Sequence, residues 1–232
     1  MIREWLALLG LARRRFRSDA DYRRFQAYQG SLVVDYLLAQ GIGLRHSRVL
    51  DLACGHGGYS EVLQQAGAQV IALDLNPPKV LPPIFVIGDA LCLPFASGSL
   101  PLVFCASLIE HVSDPVQLLV EINRVLVPGG LAYVSFPPFY SPGGGHQFKP
   151  YHLLGERWAL RLTRSKASSF ATCYGDWGLY PMTVKRARQM IAKAGLRIRH
   201  ESTRFLPLNV ARIPILGEFL CWHIQFILSH EG

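Results

Sequence analysis

An α/β fold built on a doubly wound, seven-stranded, mostly parallel sheet is what this sequence predicts, and three features predict it. Short apolar runs alternate with segments of helical periodicity from residue 45 to 137, the order expected of βαβ units. Those runs are apolar throughout rather than at every second residue, as in strands covered by helices on both faces. The first of them leads straight into a glycine-rich turn, Gly55-His56-Gly57-Gly58, that opens a helix.

Taken in order, residues 21–40 place Phe25, Tyr28, Leu32, Tyr36 and Leu37 at helical spacing before Gly41, which predicts an amphipathic helix ahead of the sheet. Strands are expected at 48–53, 69–75 and 84–88, with a helix at 57–66. A strand at 102–107 and a helix at 115–127 follow, and Pro128-Gly129-Gly130 reads as a turn before a strand at 131–136. Residues 137–181 lose periodicity and gain Gly, Pro, Ser, His and aromatic residues, which predicts a lid or binding loop inserted after the fifth strand. A helix at 182–194, closed by Gly195, and a strand at 196–205 restore the pattern. The apolar tail, broken by Pro214 and Gly217, is expected to form a short helix and a last strand at 222–228.

Composition narrows the class. The 232 residues suit one α/β domain with a sizeable insertion. Half of them are hydrophobic, yet no run reaches the ~18 apolar residues needed to span a bilayer, so no transmembrane helix is predicted. The apolar Trp5–Leu11 run is followed by Arg13-Arg14-Arg15 where a cleavage site would lie, and is read as part of the mature chain. Five cysteines without a CxxC pair predict buried thiols in a reducing cytoplasm and no zinc site. The net charge of +8 is concentrated at Arg13, Arg14, Arg15, Arg17, Arg23 and Arg24, and again at Arg157, Arg161, Arg164 and Lys166. Such groups attract lipid, nucleic-acid or nucleotide-sugar phosphates, or simply solvate a helix face. Trp5, Leu8, Leu9 and Phe16 beside arginines fit an interfacial helix, with peripheral contact at the inner membrane face, or packing on the core or a second subunit.

The chemistry concentrates at strand ends. Glycines at 55 and 57 let the backbone turn tightly and approach a ligand; alone they fit a plain connection or a dinucleotide phosphate loop equally well. Asp51, four residues before the first glycine, suits an ammonium group better than a pyrophosphate, which it would repel. Asp74 closes the second strand where a carboxylate grips both hydroxyls of a ribose, unless it only caps the following segment. Asp89 and Ala90 follow the third strand and offer a carboxylate to an exocyclic amine. Glu110-His111 ends the fourth; His111 suits a general base or a residue that shapes the loop before a helix capped at Asp114.

With these pieces in place, the chain resembles the class I S-adenosyl-L-methionine (SAM)-dependent methyltransferases, specifically the small-molecule group with a methyltransferase type 11-like domain that includes quinone and sugar methyltransferases. DLACGHG (51–57), ALDLN (72–76), GDALCLPF (88–95), SLIEHVSDP (107–115) and RVLVPGG (124–130) occur in that family's order and spacing. The resemblance implies a Rossmann-like domain organised as N-terminal helices (1–44), a SAM-binding core (45–137), a substrate lid (138–181) and a C-terminal completion (182–232). It implies that Asp51, Gly55 and Gly57 line the methionine part of SAM, Asp74 the ribose, and Asp89 and Ala90 the adenine, with Ala53, Leu75 and Ser107 also on the cofactor. Ala53 stands in place of the more usual glycine, His56 fills a variable slot, and Pro101 replaces an aspartate common in relatives.

The expected reaction is methyl transfer to an oxygen, or to nitrogen or carbon, of a small molecule: a sugar, an aromatic or a lipid-linked acceptor. His111, His146, His152 and Tyr140 are the candidates for handling it; no metal is expected, because His146 and His152 lack a trusted ligand spacing. Tyr174, Asp176 and Trp177 form a second polar-aromatic group. No DNA or RNA partner is expected, since no binding module for either is legible; an RNA methyltransferase, a SAM-binding protein without turnover and an NAD-dependent oxidoreductase are the rival readings.

Overall fold

The computed structural model describes residues 8, 10–15, 17–175, 177–204 and 209–230. Its seven strands form one sheet, β1 (Arg48–Leu52), β2 (Gln69–Asp74), β3 (Phe85–Ile87), β4 (Leu100–Ala106), β5 (Leu126–Phe136), β6 (Leu196–Thr203) and β7 (Ile224–His230), in the order β3-β2-β1-β4-β5-β7-β6. The order runs outward in both directions from β1 and β4, the reversal that defines a doubly wound sheet. Among the described residues these helices accompany them: α1 (Asp19–Ala39), α2 (Gly58–Gln65), α3 (Pro115–Val125), α4 (Glu156–Leu162), α5 (Val184–Lys193) and α6 (Leu216–Leu220).

By contacts the chain divides into two compact units. The first, residues 1–104 with 125–130, holds β1 to β3 in parallel register, Arg48 to Leu52 against Gln69 to Leu73 and Ala72 to Asp74 against Phe85 to Ile87. Val49, Leu50, Leu52, Ala72 and Leu73 are buried, as unbroken apolar strands require. Ser18 caps α1 by accepting the Asp21 amide, and its buried face is Phe25, Gln26, Gln29, Gly30, Val33, Val34 and Leu37. Tyr28, Leu32 and Tyr36, expected on that face, are half-buried, because a glycine and two glutamines occupy the stripe where α1 meets α2.

The second unit, residues 105–124 with 131–232, contains β7 antiparallel to both β5 and β6, with a bulge at Ile198/His200. Asp114 Oδ1 accepts the Val116 and Gln117 amides and caps α3. Thr183 caps α5, and the Glu218 carboxylate accepts two further amides of its first turn, from Val184 and Lys185.

Several expectations are corrected. α3 ends at Val125 and β5 begins at Leu126, so Pro128-Gly129-Gly130 lies within the strand rather than before it. Gly129 takes φ +76°, and a Cβ on Gly130 would lie 2.8 Å from the Val127 carbonyl; the glycines kink the strand without ending it. β7 begins at Ile224, two residues later than expected. The insertion after β5 is not bare loop. Phe139, Phe148, Ala159, Phe170 and Leu179 form a buried cluster of its own, around α4 and short 3₁₀ turns. Trp5, Leu9 and Phe16 of the expected interfacial helix, Asp176, and the end of the 196–205 strand at Phe205 lie outside the described residues; Leu8 is buried.

Candidate functional site

In the first unit, β1 hands the chain to α2 through a loop that only small residues can form. Ala53, Gly55 and Gly57 all take left-handed conformations, with φ of +60°, +55° and +79°. Ala53 carries a Cβ in this region, at a cost of about 1 kcal/mol that a glycine would avoid. Gly57 donates its amide to the Cys54 carbonyl and begins α2. Space for a side chain at Gly57 exists only up to Pro82, 3.6 Å from its missing Cβ, so this backbone is open to close approach by a ligand.

Three carboxylates stand at or just past the ends of β1, β2 and β3. Asp51 is buried in β1, where its Oδ2 accepts a short hydrogen bond from the Ser60 hydroxyl. Burial pushes it up to about 7, the Ser60 hydrogen bond opposes this, and the nearby Asp74 charge adds to the rise. An acid held in that state answers to a cation, which would restore its charge. Asp74, at the end of β2, accepts the Gly55 amide on Oδ2 at 2.9 Å and the Asn76 amide on Oδ1 at 3.1 Å. Each oxygen keeps a second lone pair for a hydroxyl. Leu75 beside it is exposed and apolar, a surface suited to a flat base. Asp89, exposed two residues past β3, accepts the Leu91 amide on Oδ1 at 2.8 Å, and Ala90 is buried behind it. Carboxylates for an ammonium, a ribose and an amine, with a bare backbone between, fit an adenosyl amino acid.

Sequence reasoning missed the braces behind this loop. Gln26 on α1 donates to the Cys54 carbonyl and accepts the Gly58 amide, both at 3.4 Å. Tyr22 faces His56 with ring centroids 5.0 Å apart, and Arg23 pairs with Glu61 of α2 at 3.0 Å. A Cβ on Gly58 would stand 2.3 Å from the Arg23 carbonyl, so this third glycine permits helix packing rather than ligand approach. A glutamine on the apolar face of α1 was the available signal.

In the second unit, Ser107 follows β4 with φ +55° and donates its amide to the Ser135 carbonyl. Beyond it, Glu110 is buried and, among the described residues, neither of its carboxylate oxygens makes a hydrogen bond of normal geometry. Burial raises it to about 8. His111 holds its Nδ1 2.7 Å from the Gly178 carbonyl, which places the proton on that nitrogen and leaves Nε2 as an acceptor. Burial lowers it to about 4, the Gly178 hydrogen bond partly opposing this. Glu110 Oε1 lies 3.8 Å from Nε2 of both His111 and His146, too long for hydrogen bonds. The His146 and Trp177 rings meet His111 edge-on at 4.7 Å, and Tyr174 stacks on Trp177 at 4.1 Å.

Of the four residues expected to handle an acceptor, His111 and His146 are thus brought together, with Glu110 between them. His152 is buried against Phe139 within the insertion's own core, which lowers its pKa, chiefly by desolvation. Tyr140 is partly exposed, its ring 5.7 Å from that of Phe219.

Residues 50–134 match the model of a methyltransferase domain family. An uncharacterised methyltransferase of Mycobacterium marinum is 29% identical over 222 residues, covering 90% of this chain and 86% of that protein. One from Mycobacterium tuberculosis is 28% identical over 98% of this chain and 95% of its own length. Among solved structures, a SAM-dependent methyltransferase from Mesorhizobium loti superposes with a TM-score of 0.56 at 19% identity, covering 81% of this chain and 93% of that one. Another, from Clostridium acetobutylicum, gives 0.60 at 13%, covering 88% and 91%. At such identities the structural likeness speaks to the fold.

Proposed function

We propose that this chain, a member of the class I SAM-dependent methyltransferases, moves a methyl group onto an oxygen, nitrogen or carbon atom of a small molecule, an oxygen acceptor being the favoured case. One observation carries the cofactor assignment: Asp51, Asp74 and Asp89, at or just past three successive strand ends, beside a left-handed glycine loop.

When bound, SAM supplies a methyl group already activated by its sulfonium charge. The chain's own work is placement. Asp51 meets the ammonium, the Gly55 and Gly57 backbone lies along the methionine portion, Asp74 takes the ribose hydroxyls, and Asp89 with Ala90 recognises the adenine. Aligning donor and acceptor in line can contribute on the order of 7–11 kcal/mol in favourable cases. Ser107 belongs to the same proposed cofactor set. Glu110, His111 and His146 handle the acceptor, with Tyr174 and Trp177 as aromatic walls.

A second observation favours an acceptor carried at a lipid surface. Leu153, Leu154, Trp158 and Leu162 are exposed in the insertion, and Arg157 and Arg161 of α4 are exposed beside them. Apolar side chains interleaved with arginines suit the boundary of an anionic bilayer.

Titration calorimetry of purified protein with SAM and with its demethylated thioether tests the cofactor assignment, and uptake of both is expected. A screen of sugar, phenol, quinone and lipid-linked acceptors with methyl-labelled SAM tests turnover. Absence of SAM uptake would remove the reading; tight uptake with no label transfer to any acceptor would favour a binding protein, and label on RNA the nucleic-acid alternative.

A further inference from the structure

We infer that Glu110, His111 and His146 form a binding site for one divalent transition-metal ion of the zinc class. The site deepens the methyl-transfer reading and rests on it for its role: a cation there would favour the deprotonated form of a hydroxyl acceptor.

The geometry comes first. The three potential ligand atoms lie within 4.8 Å of one another, and Glu110 Oε1 is 3.8 Å from each imidazole Nε2. Tetrahedral ligands at about 2.0–2.2 Å from zinc are separated from each other by roughly 3.3–3.5 Å. Closing the set takes a contraction of a few tenths of an ångström between Glu110 and each imidazole and up to about 1.5 Å across the widest pair, a movement side-chain rotation can supply. Two histidines and a carboxylate with a position left open are the donors of catalytic zinc and of non-haem iron sites.

The carboxylate argues for a cation independently. Glu110 is 2% exposed, among the described residues neither of its oxygens makes a hydrogen bond of normal geometry, and only its own backbone amide eases the burial. Burying a carboxylate costs several kcal/mol unless a charge or hydrogen bonds compensate, and a structure that keeps such a group uncompensated needs a reason. The neighbouring imidazoles stand too far off to donate to it, which is the wrong distance for a hydrogen-bonded acid-base pair and close to the right one for ligands of a shared ion.

The outer shell has the corresponding form. His111 gives its Nδ1 proton to the Gly178 carbonyl, so that the remaining lone pair faces Glu110, the arrangement that orients most metal-bound histidines. His146 adopts φ +46°, a conformation that costs a non-glycine residue about 1–3 kcal/mol. The spacing hides the site from the sequence: two ligands are adjacent and the third lies in the insertion, 35 positions on, unlike any local ligand motif.

The test uses the full chain, stripped with a chelator and titrated with Zn²⁺ by calorimetry and with Co²⁺ by visible absorption. One ion per chain is expected, with a d–d spectrum of four- or five-coordinate Co²⁺. E110Q and H146A should bind at least roughly tenfold more weakly, while H46N, altered on a surface loop, should bind as the parent does. SAM uptake and far-ultraviolet circular dichroism of each variant report on folding. As a readout that needs no ligand variant, Co²⁺ should quench the fluorescence of Trp177, whose ring is 4.7 Å from His111, and W177F should lose that quench. A parent protein that takes up SAM but no metal overturns the metal site and leaves the cofactor reading intact. Metal bound equally well by E110Q and H146A overturns it too. Failure of SAM uptake with metal still bound overturns the methyl-transfer reading instead.

Discussion

Asp51 shows what burying a single carboxyl does to stability. Its carboxyl is held up to about 7 by burial, against an ordinary value of 3.8, so between these pH values the native state holds a proton that the unfolded chain releases. Stability in the ligand-free form therefore falls as pH rises through this window and levels off above it. Replacing Asp51 by Asn removes the dependence. The ligand-free D51N variant should melt higher than the parent by a few degrees at pH 8, with the difference shrinking to nothing near pH 4, while its affinity for SAM falls at least roughly tenfold. Thermal melts across pH, paired with calorimetry, check both halves. A D51N melting point that tracks the parent at every pH would mean that the carboxyl is not desolvated as described. Asp51, Gly55, Gly57 and Asp74 could be singled out from the sequence because a strand's end and a glycine turn are marked where they occur. Gln26, which braces the same loop from α1, could not: a glutamine on an apolar helix face is a visible oddity, but nothing local says which carbonyl and amide it will meet.

At the scale of elements, the loop's rigidity is set by how closely α1 lies on α2. Gly58 is where the two come nearest, with the Arg23 carbonyl 2.3 Å from where a Cβ would be. Gly58→Ala should cost about 1–3 kcal/mol through overpacking, which for a chain of this size lowers the melting temperature by about 3–10 °C. Gly98→Ala serves as a comparison of the opposite kind: its surroundings are open, and only its φ of +63° is penalised, by about 1 kcal/mol. Melts of the two variants separate crowding from backbone strain. The insertion between β5 and α5 was expected as an irregular lid and instead has a core, because Phe139, Phe148 and Phe170 are brought together from separate short segments whose spacing leaves no period in the sequence. That core leaves Leu154 and Trp158 outside, beside arginines. Flotation with anionic vesicles should recover the parent protein at low salt, and W158A combined with L154S should reduce the recovered fraction several-fold; parent protein that stays with the soluble fraction at low salt would remove lipid contact from the proposal.

Considered whole, the molecule carries a net charge of +8 and no described helix long and apolar enough to cross a membrane. A ligand that binds only the native state at 100 times its dissociation constant adds about 2.7 kcal/mol, or about 5–10 °C in melting temperature for a chain of this length. SAM and its thioether should produce such a shift, and NAD should produce none; the reverse result would return the glycine loop to the dinucleotide class. The sequence by itself determined the strand and helix alternation, the glycine loop and the strand-end carboxylates, because periodicity and turn chemistry act over a few residues and a strand's end is marked where it occurs. Only the tertiary structure decided that His111 and His146 share a carboxylate while His152 is buried against Phe139, that Pro128–Gly130 kinks a strand instead of preceding it, and that Gly58 serves helix packing. Each of these depends on which distant side chain arrives at a given point, and that is fixed by how the apolar faces bury one another, not by any spacing along the chain.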